Sequence, residues 1–190
     1  FNPVGAHPTV LIGELQEKPE NLVPVITQTA IGKRAEMTVF GTDYPTRDGS
    51  CVRDYIHVMD IANAHTKALQ YTLAGENATN WDVFNLGTGN GVTVLELLKA
   101  FEKVSGEKLN YKIGDRRAGD VVEVYANNAK ARALLDWDIK YNLDQMMDTA
   151  WRREQAMKKE AARISMNWLA ANPMFLSYSI PGLSLYCRQY

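Results

Sequence analysis

The sequence predicts an α/β fold with a parallel sheet. Three observations carry that expectation. Short apolar runs alternate with helical stripes along the chain, as in a sheet flanked by helices. Asn- and Thr-led caps stand before the helical stripes, and glycines stand after several of them. The composition is that of a globular protein, with 46% hydrophobic and 23% charged residues in 190.

Each element follows from local chemistry. Residues 1–20 carry Pro3, Gly5, Pro8, Gly13 and Pro19, and read as a strand end followed by a long surface loop. Asn21 caps a helix with Pro24 in its first turn and Gly32 at its end. Residues 37–40 form a short strand, 41–49 a polar loop and 55–58 a second strand. A helix over about 60–73 places Val58, Ile61, Ala62, His65, Ala68 and Leu69 at helical spacing. Residues 81–86 are expected as a strand ending in Gly87-Thr88-Gly89-Asn90-Gly91. Thr93 with Glu96 forms a capping box, and the helix it opens buries Val94, Leu97, Leu98, Phe101 and Val104. A strand at 109–113, a charged loop at 116–120 and a short helix at 128–135 follow. Asn142 and Gln145 then cap a long helix whose stripe is Leu143, Met146, Met147, Ala150 and Trp151.

Composition excludes several function classes. Twenty-one basic against 22 acidic residues leave no footprint for nucleic acid and no polybasic run for a membrane surface. Cys51 and Cys187 lack CxxC spacing and read as the reduced thiols of a cytoplasmic protein. His7, His57 and His65 lack metal-ligand spacing, so no metal site is expected. Residues 164–187 carry no charge. Asn167, Asn172, Pro173, Pro181 and Gly182 interrupt that run, so it reads as an apolar extension and not as a membrane span. The chain opens Phe-Asn-Pro-Val-Gly without an initiator Met and is expected to be part of something longer.

Candidate binding residues appear in the loops. The Gly87–Gly91 turn is either a phosphate cradle or a tight turn of small residues, and the second reading is favoured because no G-x-G-x-x-G is present. Arg53 stands where a loop becomes a strand, where it could grip a phosphate or pair locally with Asp54. His57 and His65 read as core histidines. Arg116-Arg117-Ala118-Gly119-Asp120 offers two guanidiniums for a pyrophosphate and a carboxylate for ribose hydroxyls, or is a solvated loop. Phe40 is either a base-stacking face or core.

In order, the motifs are Phe1-Asn2-Pro3-x-Gly5-Ala6-His7-Pro8, Asn21-Leu22-x-Pro24, Val39-Phe40-Gly41-Thr42-Asp43-Tyr44-Pro45-Thr46-x-Asp48-Gly49, Val52-Arg53-Asp54-Tyr55-Ile56-His57-Val58, Asn85-Leu86-Gly87 and Arg116-Arg117-x-Gly119-Asp120. Together they resemble the C-terminal half of the UDP-glucose 4-epimerases, members of the extended short-chain dehydrogenase/reductase family, over about residues 1–158. The resemblance implies a Rossmann NAD domain followed by a smaller substrate domain. Residues 1–160 would hold the substrate-binding part with the last strands of the NAD domain, and 161–190 a non-family extension. It implies interconversion of UDP-glucose and UDP-galactose by transient hydride transfer to bound NAD, and a cytoplasmic, commonly homodimeric full-length enzyme.

The family's Tyr-x-x-x-Lys base motif and its Gly-rich NAD turn do not occur in this sequence. No catalytic residue is therefore assigned, NAD is expected to be held mainly by a missing N-terminal half, and this fragment is expected to be inactive alone. The resemblance assigns Asn2 to the diphosphate-sugar and Phe1 to the nicotinamide border. It assigns Asn21 and Leu22 to the phosphates, and Thr38, Val39 and Phe40 to the uracil. Arg53 and Arg117 would hold the diphosphate and Asp120 the ribose. Four residues beyond Asp120, where some members carry a Tyr that narrows the sugar pocket, this chain has Val124, with the aromatic at Tyr125; the pocket is expected to admit N-acetylated sugars as well. The alternatives are a non-catalytic UDP-sugar-binding fragment, or another extended reductase acting on a nucleotide sugar.

Overall fold

A computed structural model describes residues 2–171, so expectations resting on Phe1 and on 172–190 lie outside the described residues. The elements in order are β1 (Asn2–Val4), α1 (Leu22–Ala30), β2 (Met37–Phe40), β3 (Val52–Arg53), β4 (Tyr55–His57), α2 (Val58–Leu73), β5 (Val92–Thr93), α3 (Val94–Ser105), β6 (Tyr111–Gly114), β7 (Glu123–Val124), α4 (Ala129–Leu135) and α5 (Leu143–Ala171). Two compact units divide the chain, one ending at Gln155 and the other beginning at Ala156. In the second unit α5 continues to Ala171, with Ile164, Met166 and Trp168 exposed. No helix among the described residues is long and apolar enough to cross a membrane.

The α/β expectation holds, and the strand pairing is mainly parallel. In the first unit β1 pairs in parallel with β4, and β2 in parallel with β6. A small third sheet has the order β5–β3–β7, in which β3 runs antiparallel to β5 and parallel to β7. Most of that sheet is invisible as sequence pattern, because two-residue strands are too short to show alternation.

The expected strand at 81–86 is absent: the segment runs as coil, with Trp81 and Val83 largely exposed. Neither parallel pair offers it a ladder among the described residues, and β-propensity without a cross-strand partner does not make a strand.

The helix starts behave as their caps dictate. Thr93 Oγ1 accepts from Glu96 N (3.0 Å) while the Glu96 carboxylate accepts from Thr93 N (3.0 Å), a complete capping box. Asn142 and Gln145 reciprocate in the same way at the start of α5. α1, α3 and the first turns of α5 then bury Ile26, Leu97, Phe101, Met146, Met147 and Trp151 in one core. A second core joins β4, α2 and α4 through Ile56, Ala64, Leu135 and Trp137. On α2 the apolar stripe is narrower than expected. Ala64 is buried, but His65 and Leu69 face solvent, so His65 is not a core histidine. Its Nδ1 instead lies 2.8 Å from the Ile61 carbonyl on its own helix.

His57 is fully buried and joins three segments. Its Nδ1 accepts from Met59 N at 3.0 Å and so caps α2. The remaining proton therefore sits on Nε2, which donates to Thr149 Oγ1 at 3.0 Å. Thr149 Oγ1 also accepts from Ala6 N and donates to the Gln145 carbonyl, so every polar atom of the junction is matched. Tyr141 stacks on the imidazole at 4.0 Å.

Burial pushes the His57 pKa down from 6.5 to about 4, because a second ring proton would be buried with no acceptor facing it. The unfolded chain thus binds more protons than the folded one between about pH 4 and pH 6.5. The stability His57 contributes is complete above that window and is lost as pH falls through it, by on the order of 3 kcal/mol at most. Urea unfolding of the wild type should show a marked fall in stability from pH 7 to pH 5, and His57→Gln a shallower one. Equal slopes would contradict this account.

Candidate functional site

The site is built where loops leave the strand ends. Thr46 Oγ1 donates to the Ser50 carbonyl, and the Asp48 carboxylate receives Ser50 N, Ser50 Oγ and Thr93 Oγ1. Arg47 grips Glu96 and the Gly91 carbonyl. These bonds lock the 42–50 loop onto the start of α3 and so fix where β3 begins.

At the end of β3, Asp54 is buried, 1% exposed. Its carboxylate accepts from Thr88 N (2.9 Å), Thr88 Oγ1 (2.6 Å), Gly89 N (3.1 Å) and Ala126 N (3.0 Å). This settles the Gly87–Gly91 turn. The amides that could have cradled a phosphate hold the chain's own carboxylate, and the turn leads into β5 and not into a helix. A Cβ on Gly87 would stand 2.4 Å from Asp54 Oδ2 and 2.6 Å from the Ala126 Cβ, so the close approach needs glycine. Sequence reasoning paired Asp54 with Arg53 only as a local ion pair; its bonding partners lie more than 30 residues away, beyond the reach of any local signal.

Arg53 points the other way. Its Nη1 donates to the Val52 carbonyl (2.8 Å) and the Val121 carbonyl (2.6 Å), while Nη2 lies 3.6 Å from Asp120 Oδ1. Arg117 Nη2 donates to the same Asp120 oxygen at 2.8 Å, and its guanidinium lies 5.6 Å from the centre of the Phe40 ring. That hydrogen bond holds the Arg117 pKa above its ordinary value. Gly119, at φ +84°, makes the bend that brings Asp120 N back to the Arg117 carbonyl. The neighbouring Arg116 pairs with Asp43 (2.8 Å), lowering that carboxyl's pKa, and lies 4.3 Å over the Tyr44 ring. Arg116 thereby ties the two loops together and does not face the cavity wall. Tyr44 is buried, and desolvation raises its phenol's pKa.

Arg53, Arg117, Asp120 and Phe40 border a cavity of about 300 Å³. Asn2 lines it from β1, where its N–H is fixed to the Asp54 carbonyl at 2.9 Å. Asn21 and Leu22 line it from the start of α1. Asn21 stands at the cap position but makes no side-chain cap bond; its amide donates instead to Glu14 Oε1 at 3.3 Å. The positive end of that helix therefore carries no side-chain cap where it meets the cavity. Thr38, Val39 and Phe40 supply a third wall from β2, which among the described residues is paired on one edge only, with β6. Val39 is buried and Phe40 is 45% exposed, so Phe40 is a surface face and not core. Arg53, Arg117 and Asp120 also line it, as does the Glu20 carboxylate beside Asn21.

Val124 is not in the cavity wall. It sits on β7 directly opposite Arg53 and is 41% exposed. Phe1 lies outside the described residues. The walls also contain Cys51, just before β3, Tyr55 on β4 and Val94 at the start of α3. The sequence reads these as a reduced thiol, a strand position and helix core, and no local signal marks them as cavity residues. Among the described residues no group of histidines, cysteines and carboxylates could hold a metal.

Comparison with known proteins follows the same lines. The GDP-mannose 4,6 dehydratase family matches residues 13–150. UDP-glucose 4-epimerase of Bacillus subtilis (strain 168) is 51% identical over 153 residues, 80% of this chain and 44% of the relative. The crystal structure of a UDP-glucose 4-epimerase from Stenotrophomonas maltophila, with bound NAD and formylated UDP-arabinopyranose, superposes with a TM-score of 0.80 at 45% identity, covering 84% of this chain and 47% of that one. The Bifidobacterium longum UDP-glucose 4-epimerase, in complex with NAD+ and UDP, gives 0.74 at 40% identity, covering 82% and 46%. The chain spans a little under half the length of these relatives. With most of the described fold inside the matched region, the chain belongs to the GDP-mannose 4,6 dehydratase family, where the relatives it resembles at 40–51% identity are UDP-glucose 4-epimerases.

Proposed function

We propose that this chain supplies the nucleotide-sugar site of an NAD-dependent UDP-glucose 4-epimerase. The observation that carries the reading is the convergence of Arg53, Arg117, Asp120, Phe40 and the uncapped start of α1 on one cavity. Two guanidiniums and a helix N-terminus suit a diphosphate. A carboxylate suits the vicinal hydroxyls of a ribose, since an ionised carboxylate only accepts. The edge of β2 that is unpaired among the described residues offers main-chain donors and acceptors to the edge of a pyrimidine, with the Phe40 ring beside it. Asn2 completes the wall on the sugar side.

The described residues offer no cradle for the dinucleotide's pyrophosphate. The one glycine-rich turn that could approach a pyrophosphate is filled by Asp54, and the sequence contains no Tyr-x-x-x-Lys pair. In this reading NAD and the catalytic base belong to the part of the relatives' length that this chain does not span, and the chain's own work is to bind and orient the UDP-sugar. The same absence supports a second reading, a UDP-sugar-binding fragment without turnover. Another nucleotide-sugar reductase of the family would need a different sugar site but the same anion clamp.

Titration calorimetry on the 190-residue chain should show UDP binding well above uridine, because the diphosphate engages the arginines. Arg117→Ala should weaken UDP about tenfold or more and leave uridine unchanged, as expected for loss of a charge-assisted bond. Equal affinities for UDP and uridine would contradict the reading.

Val124 sets the second expectation. It lies outside the cavity wall but opposite Arg53, which lines the cavity, so a side chain longer than valine at this position would extend alongside Arg53. UDP-glucose and UDP-N-acetylglucosamine should bind within a few-fold of each other, and Val124→Tyr should weaken only the acetylated sugar. A wild-type chain that rejects the acetylated sugar would overturn this point.

A further inference from the structure

The charge of the two arginines is already half offset from within, by a single carboxylate. Asp120 Oδ1 lies 2.8 Å from Arg117 Nη2 and 3.6 Å from Arg53 Nη2, so one oxygen faces both guanidiniums. The Asp120 side chain is only 12% exposed, which limits how far water screens it. Arg53 is pinned by two main-chain carbonyls and cannot swing away to meet an anion elsewhere. Asp120 is pinned by the turn at Gly119. A phosphate oxygen arriving between the arginines therefore meets a fixed carboxylate, with like-charge repulsion and a lost ion pair as its cost.

We propose that Asp120 is a specificity-determining residue, an internal counter-anion that makes the Arg53–Arg117 pair reject bare phosphates and pyrophosphate and accept only an anion carrying a hydroxylated sugar next to it. The proposal rests on the nucleotide reading given above. A nucleoside diphosphate brings ribose hydroxyls, which donate to the carboxylate as it gives up Arg117, so its acceptor oxygens stay satisfied. Inorganic pyrophosphate brings the charge without the donors. Asp120 thus converts a general anion clamp into a nucleoside-diphosphate clamp, through unmet polar groups on the wrong ligand.

The test is calorimetry with inorganic pyrophosphate and with UDP on the wild-type chain, Asp120→Asn, Asp120→Ala and Asp120→Asn/Arg117→Ala. Both single variants should bind pyrophosphate about tenfold or more tightly than wild type, the preference for UDP over pyrophosphate should fall by at least the same factor, and the double variant should lose the gain. Unchanged pyrophosphate affinity in both single variants, with UDP weakened, would make Asp120 a ribose ligand only and overturn the proposal. A wild-type chain that binds pyrophosphate as tightly as UDP also overturns it, while leaving the arginine clamp in place. Absence of UDP binding to wild type overturns the nucleotide reading itself.

Discussion

The site depends first on one buried carboxylate. Asp54 lies in the interior, where an unpaired charge would be costly, and four donors surround it. Two donors come from Thr88, one from Gly89 and one from Ala126, so a single side chain fastens β3 to the glycine-rich turn and to the residues just past β7. Its own carbonyl receives Asn2 N, which fastens β1 as well. Because Asp54 faces inward, Arg53 next to it on the extended backbone faces the cavity, opposite Val124 on β7. The anion clamp is the outer face of an element whose inner face is this junction.

The second organising fact is that like elements do different work according to what they meet. Both loops that edge the cavity are rich in charge, yet Arg116 is consumed in joining them, through Asp43 and Tyr44, while Arg117 turns to the cavity. Two helix starts are closed by reciprocal capping boxes, at α3 and α5. The start of α1, which lines the cavity, has Asn21 at its cap position with the side chain directed elsewhere. A helix N-terminus left uncapped keeps its partial positive charge for a ligand.

Much of this was legible in the sequence where the chemistry is local. Thr93 with Glu96 and Asn142 with Gln145 announce their helices, because a capping box is complete within four residues. The stripe from Leu143 to Trp151 is in the core as spaced. Legibility fails where partners are distant. The 81–86 run has the composition of a strand and, among the described residues, no strand paired with it. His65 shares helical spacing with apolar neighbours but sits on the exposed side of α2, since a stripe read from mixed Ala and His positions fixes the helix better than its rotation. Asp54 and His57 gain their meaning from Ala126 and Thr149, some 70 and 90 residues away. The cavity residues were named by motif order; their convergence from β1, α1, β2, β3 and the 115–120 loop is tertiary.

Asp54 holds the anion clamp from behind and does not itself line the cavity. The direct measurement is the UDP affinity of Asp54→Asn, with far-ultraviolet circular dichroism to establish that the fold persists. Asparagine keeps the volume but places an NH₂ group against an N–H donor, which unseats the turn or the 126 segment and leaves a buried group unmatched. The account predicts a folded chain whose UDP affinity drops about tenfold or more. A folded Asp54→Asn chain that binds UDP as tightly as wild type would contradict it.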